Sequence, residues 1–396
     1  MSKKVYCSIS NHTLSEDICK DKLNYQTYIK LLEYFDEVHI YGRTFGKKSY
    51  MRKDPTSCIY VHYTSVPKSF ILKYITTVIK IFLSILKDDK KYCFSILDAS
   101  EPTTGGVIAT LLKVFLKKPF LLQVQGEMTR ISPKTDGILQ SIGSKYFTLL
   151  STKFADKVRT VSYIIEKQLI EDGVKKVKIE VLPPRVNLKQ FDYKKYSNTN
   201  NGLKKQFNIS ENKKLLVFVG RLVVFKGVKY LIEACKYLNK KEYHLLIVGD
   251  GTLRGELESL TQELGLEDNI TFVGAVEFIR VPYFMAGADL FVLPSLDEGF
   301  GRVILESMAV KTLVLASRVG GIQDIIVDNE TGFFMEAGNI NSILSNIQKI
   351  LKMEERHIDN IIEKSYKLVH DDYEFNNSMS KFIHIYDNMI VNYENT

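Results

Sequence analysis

The chain has 396 residues, 45% of them hydrophobic and 25% charged, the make-up of a globular protein, which excludes a disordered or collagen-like chain. Its length suits two domains of ordinary size. The formal net charge of +8 is unevenly spread: residues 1–190 carry 31 basic and 18 acidic side chains (net +13), and residues 191–396 carry 23 and 28 (net −5).

A basic first half suits nucleic acid, an anionic membrane or a phosphorylated substrate, or is simply a face of solvated lysines. No helix-turn-helix, zinc-finger or RNP-like pattern accompanies it, so nucleic acid is not the expected partner. The five cysteines (Cys7, Cys19, Cys58, Cys93, Cys235) are scattered, odd in number and without a C-x-x-C pair. That spacing predicts reduced thiols in the cytoplasm, not a disulfide framework or a zinc site. No apolar signal segment precedes the first strand-like run, which agrees with a cytoplasmic location.

In chain order, residues 5–10 read as a strand, residues 25–35 as a helix and residues 37–41 as a second strand, the β-α-β rhythm of a parallel sheet. Residues 68–87 are apolar but interrupted by Lys68, Lys73, Lys80 and Lys87. The last three, seven apart, keep to one helical stripe opposite Ile71, Ile75, Val78, Phe82 and Ile85. Such charges argue against a membrane-spanning helix. Two readings stay open: a core helix with snorkelling lysines, or an interfacial helix lying on an anionic leaflet. Lys113, Lys117 and Lys118, at the end of the next helix, extend the same basic face. Asp88-Asp89 and Asp371-Asp372 read as solvated faces.

Residues 94–97 and 120–124 read as further strands, with a helix from about Val107 between them. Residues 158–162 read as a strand whose Ser162 caps the following helix, with Glu166 one turn in. The polar run at residues 196–202 reads as a linker and places a domain boundary near 190. Strands over residues 215–219, 243–248, 269–274 and 290–293 then alternate with helices over residues 228–238 and 253–263, as a doubly wound sheet requires. Residues 373–393 form an aromatic-rich terminal helix.

Two motifs in this second half carry chemistry. Gly220-Arg221-Leu222 and Lys226-Gly227 put two cations behind a strand's carboxyl end, where they suit a diphosphate. In residues 289–307 a buried strand meets Pro294, a glycine-broken turn and an amphipathic helix. Glu298 sits in the turn and Glu306 eight residues on, roughly 12 Å away if the helical rise applies throughout. Between them Gly299, Phe300 and Gly301 offer the free amides of a helix N-terminus, an anion site.

Glu298-Gly-Phe-Gly-Arg-Val-Ile-Leu-Glu306 resembles the E-x7-E signature of retaining glycosyltransferases with the GT-B fold, the group 1 or GT4 family. Gly220-Arg221-Leu222 with Lys226-Gly227 resembles that family's G-R-L…K-G element. Residues 179–191, Ile-Glu-Val-Leu-Pro-Pro-Arg-Val-Asn-Leu-Lys-Gln-Phe, are similar to its interdomain hinge. The resemblance is close over residues 205–335 and holds in outline before them.

It implies an α/β chain with two Rossmann-like, doubly wound parallel-sheet domains facing a central cleft. Residues 1–190 would bind the acceptor and residues 191–372 the nucleotide sugar, and a helix at 373–396 would cross back to the first domain. Glu298 would meet the donor sugar and Glu306 the ribose. Arg221, Lys226, Gly220 and the amides of Gly299, Phe300 and Gly301 would hold the diphosphate, with Val276 near the base. Gln125 stands where the family usually has a histidine, and an amide carries no proton at neutral pH. Ser10-Asn11-His12-Thr13 replaces a usual Gly-Gly loop. Glu127 and Arg130 are acceptor-side candidates.

No cofactor or metal is implied. The expected partners are a UDP- or GDP-sugar and a glycan or lipid-linked acceptor, with peripheral contact to an anionic membrane, in cell-surface polysaccharide or glycolipid synthesis. The alternative is a nucleotide-sugar-binding protein without transferase activity.

Overall fold

The computed structural model describes residues 3–14, 22–46, 48–126, 138–196 and 199–395. The chain divides into two units, Met1–Leu182 with Met379–Thr396, and Pro183–Ser378. The division falls eight residues before the boundary read near 190, so the hinge-like Pro183–Gln190 segment goes with the second unit.

In the first unit, β1 (Val5–Thr13), β2 (Glu37–Thr44), β3 (Tyr50–Lys53), β4 (Ile59–Ser65), β5 (Ile96–Ala99), β6 (Phe120–Val124), β7 (Lys157–Thr160) and β8 (Ile179–Val181) form one sheet. Its order is β3-β4-β2-β1-β5-β6-β7-β8, and every pairing is parallel except β3 with β4. The connecting helices are α1 (Lys22–Leu31), α2 (Phe70–Tyr92), α3 (Thr104–Leu116), α4 (Ile138–Phe154) and α5 (Tyr163–Glu171). Ser162 caps α5 as its sequence predicts, its hydroxyl accepting from the Ile165 amide at 3.3 Å.

In the second unit, α6 (Thr199–Gln206) precedes β9 (Lys214–Val219), α7 (Val228–Cys235), β10 (Tyr243–Val248), α8 (Arg254–Glu263) and β11 (Ile270–Gly274). Then come α9 (Val281–Ala286), β12 (Leu290–Leu293), α10 (Arg302–Ala309), β13 (Val314–Ser317), β14 (Phe333–Met335), α11 (Ile340–Leu351) and α12 (Glu355–Asp372). The sheet order is β11-β10-β9-β12-β13-β14, all parallel. Its central strands are near-continuous Leu, Val, Ile and Phe runs, because both faces are covered. From β9 the chain proceeds to β10 on one side, and β12 returns on the other. The loops at that reversal open a crevice beyond the carboxyl ends of the strands, the usual ligand position in such sheets.

The last helix, α13 (Phe375–Glu394), belongs to the first unit from Met379 onward. Its Tyr386 explains why. The Tyr386 hydroxyl donates to the buried Asp98 of β5, and Tyr6 donates to the same carboxylate at 2.8 Å. Tyr386 also packs edge-on against Tyr6 and Phe35.

Three readings of the sequence need correction. The run at 196–202 is not wholly a linker: α6 starts at Thr199, and Asn200 donates to the Gly287 carbonyl at 2.8 Å. Asp88 and Asp89 are not a solvated face. Tyr41 donates to Asp88 at 2.8 Å, and Asp89 accepts from the Phe94 amide at 2.9 Å. In α2, Ile85 is buried as expected, but Ile75 is 52% exposed, so the helix has a second apolar face in solvent.

Candidate functional site

The loops of the second unit gather at the carboxyl edge of its sheet. Close backbone approach is what brings them together. A side chain at Gly249 would run into the Gly220 carbonyl, and one at Gly251 into the Leu222 carbonyl. The Leu222 amide donates to the Asp250 carbonyl at 2.9 Å. On the other flank Gly227, at φ +63°, lies against the Pro294 carbonyl, and the Leu296 amide donates to the Phe225 carbonyl at 2.7 Å. Glycine is required there twice over, for the left-handed backbone and for the missing Cβ.

This clamp sets Lys226 against Glu298. Their ammonium and carboxylate form an ion pair, each side chain mostly buried, and the Ser295 hydroxyl donates to the same carboxylate at 3.4 Å. Beneath the turn, Gly320 (φ +45°) lies against the Glu298 carbonyl, which accepts from the Gly321 amide at 3.1 Å. Both cationic and acidic candidates therefore sit on loops fixed by neighbouring strand ends. Arg221 is exposed beside them, its guanidinium 5.8 Å from the Phe225 ring.

The helix after the turn begins at Arg302, capped by Gly301 at φ +89°. The span from Glu298 to Glu306 is thus not helical throughout. Only the four steps from Arg302 to Glu306 follow the helical rise, about 6 Å, and the earlier 12 Å does not hold. Among the described residues, the amides of Gly299, Phe300 and Gly301 have no hydrogen-bond partner, which leaves them to bind an anion at the positive end of the helix. The Phe300 ring itself is buried, 6.0 Å from the Tyr373 ring, so its backbone alone serves.

Glu306 is buried, with Arg302 Nε 3.2 Å from its carboxylate. Burial pushes its pKa up to about 7, although the Arg302 charge opposes that shift. A carboxylate held in the interior at this cost suits a ligand that donates hydrogen bonds to it. Val276 is half-buried two residues beyond β11, whose last residue Gly274 accepts from the Gly249 amide at 2.9 Å. It therefore lies on the same edge as the Gly220 and Gly249 loops. Among the described residues no group of three or more His, Cys, Asp or Glu side chains could hold a metal ion.

In the first unit, Gln125 follows β6 and is exposed, its amide donating to the Gln123 carbonyl oxygen at 3.4 Å. Sequence reading missed what Gln123 belongs to. Its amide donates to Asp98 at 2.8 Å, and its oxygen accepts from Arg159 at 3.1 Å. Arg159 also donates to the Leu182 carbonyl through Nε at 3.0 Å and Nη2 at 2.6 Å. Burial raises the Asp98 pKa against the hydrogen bonds from Tyr386, Gln123 and Tyr6, and lowers that of Arg159 to about 10. The available signal was Asp98 itself, an acid inside an otherwise apolar strand. Glu127 and Arg130 lie outside the described residues, and of the Asn11 and His12 side chains nothing is described.

The fold is that of an α/β protein of the GT-B class, with two Rossmann-like units. Residues 200–368 match the family model of glycosyl transferases group 1. An uncharacterized glycosyltransferase of Methanocaldococcus jannaschii is 30% identical over 239 residues, 60% of this chain and 61% of that one. The chain spans about three fifths of the length of the first curated relatives it matches. An N-acetylgalactosaminyltransferase of Campylobacter jejuni, named for a diphospho-undecaprenol acceptor, is 27% identical over 68% of this chain and 79% of its own. Sucrose-phosphate synthase from Thermosynechococcus elongatus shares the fold with a TM-score of 0.81 at 20% identity, covering 98% of this chain and 100% of that one.

Proposed function

We propose that the chain is a retaining glycosyltransferase. It moves a sugar from a UDP- or GDP-sugar to a hydroxyl of a glycan or lipid-linked acceptor, in cell-surface polysaccharide or glycolipid synthesis. The observation that carries this reading is the Lys226–Glu298 pair at the switch point of the second sheet, beside the free amides of Gly299–Gly301. The Campylobacter relative, named for a diphospho-undecaprenol acceptor, supports the lipid-linked alternative.

In the resting site Lys226 is neutralised by Glu298. An arriving diphosphate offers Lys226 a stronger partner, which frees Glu298 to accept hydrogen bonds from the donor sugar. Arg221, Lys226 and the helix amides then neutralise the charge that grows on the leaving phosphate, the task a metal cation performs elsewhere. Glu306 accepts from the ribose hydroxyls, and the backbone near Val276 and Gly220 flanks the base and diphosphate. The bond from the anomeric carbon to the phosphate oxygen breaks and one to the acceptor oxygen forms on the same face. The acceptor proton passes to the leaving phosphate, so Gln125 need not carry it; its amide serves as a hydrogen-bond donor to the sugar. Glu127 and Arg130 are assigned to the acceptor side.

A double Arg221→Ala, Lys226→Ala variant tests the leaving-group role. Its turnover should fall by roughly 10²-fold or more while its circular dichroism stays that of the folded parent, with melting lowered because Glu298 loses its Lys226 partner. Robust turnover would contradict the assignment. A second reading, a nucleotide-sugar-binding protein without transfer, draws on Gln125 at the place of the family's histidine. Nucleotide binding without any turnover of donor, across a panel of acceptors, would favour it.

A further inference from the structure

Helix α2 has two apolar faces, and the first unit buries only one. Thr77, Ile81 and Ile85 point into the core. On the far side Leu72, Ile75, Ile79 and Leu83 are each between 51% and 56% exposed. At 100° per residue these four lie within about 40° of one line along the helix. Lys73, Lys80, Lys87 and Lys91 run beside that line, about 100° round. Of these, Lys80 bends back to the Ser65 carbonyl at 2.8 Å, and Lys90 ends the aliphatic line itself.

The surface continues onto α3. The rings of Phe82 and Phe115 meet at 5.6 Å, and Phe115 and Val114 are 66% and 59% exposed. Lys117 and Lys118 follow directly. The acidic residues of α2 are Asp88 and Asp89, both engaged inward with Tyr41 and the Phe94 amide, and α3 has none. An exposed aliphatic strip rimmed by cations and free of carboxylates is unusual for a surface that faces water. No helix among the described residues is long and apolar enough to cross a membrane.

We infer that the α2–α3 face docks in the plane of an anionic lipid leaflet. The aliphatic side chains enter the acyl boundary and the lysines meet phosphate headgroups. This deepens the lipid-linked acceptor reading and rests on it for its purpose, since docking would hold the first unit where such an acceptor is anchored. A second copy of the chain is the less suitable occupant, because it would bring lysine rims against each other.

The test is co-sedimentation of the full chain with phosphatidylcholine vesicles, with and without phosphatidylglycerol. The parent should partition onto the anionic vesicles in a salt-sensitive way and little onto the neutral ones. A Leu72→Ser, Ile79→Ser, Leu83→Ser variant and, separately, a Lys87→Glu, Lys90→Glu variant should each lose about tenfold or more in partitioning. Absence of parental binding, or binding by both variants as strong as that of the parent, would overturn the inference. So would a parental dimer that the aliphatic variant dissolves. UDP and GDP titrations run in parallel separate the two claims. Lost docking with intact nucleotide binding removes only the membrane face, and docking without nucleotide binding removes only the transferase reading.

Discussion

Glu306 is a carboxylate that the fold keeps in its interior, and its raised pKa of about 7 has two consequences. The first concerns stability. Its folded pKa lies above the ordinary value of 4.5, so the linked stability is fully present below that value and is lost as pH rises through 7. Glu306→Gln should flatten this slope in urea melts of the second unit. The second concerns binding. If ribose hydroxyls donate to the ionised form, nucleotide affinity should rise from pH 6 to 8 in the parent and stay level in Glu306→Gln. The reverse trend would remove the ribose role. Gly320 makes a separate residue-scale case: Gly320→Ala should destabilise the second unit by about 1–3 kcal/mol and weaken nucleotide binding, because the new Cβ displaces the Glu298 carbonyl. The motif residues were legible because their spacing repeats a family pattern. The parts that Gly320 and Arg302 play were not, since a close backbone approach and a buried ion pair leave no periodic trace.

Among the elements, α13 is tied to the first unit by the Tyr386 hydroxyl on the buried Asp98, by ring contacts of Tyr386 with Tyr6 and Phe35 and by the Lys4–Asp387 ion pair. Tyr386→Phe leaves Asp98 short of a donor where burial already disfavours its charge. That should cost about 1–3 kcal/mol in urea unfolding, more than the loss of an exposed tyrosine hydroxyl elsewhere. A second buried group sets an acid limit. His39 and His62 are 3.0 Å apart, and burial lowers both, His62 to about 3. Their depressed pKa values contribute stability above about 6.5 that is lost as pH falls towards 3. Acid melts of His62→Phe should show a shallower loss than those of the parent. Strands β9 to β12 of the second unit were readable from their apolar runs, and the short β13 and β14 were not. Two further short elements were not: β3, whose four residues are all exposed, and α6, whose low apolar content resembles a linker until Asn200 is seen docked on Gly287.

At the scale of the whole chain, the charge asymmetry has a structural counterpart. The excess of lysine falls on the unit whose α2–α3 face is both basic and apolar, and the acidic half carries the edge proposed to bind the diphosphate, where a few placed cations would outweigh the net sign. Composition predicted the first and could not predict the second, because a local field is set by the geometry of Arg221, Lys226 and a helix terminus, not by a sum of charges. The central claim is that this edge holds a nucleoside diphosphate. Calorimetric titration of UDP and GDP into the parent and Glu306→Ala, above the titration of Glu306, tests it most directly. One nucleotide should bind, and the variant should lose at least about tenfold in affinity, or 1.4 kcal/mol. Binding of neither nucleotide, or an unchanged affinity in the variant, would contradict the account.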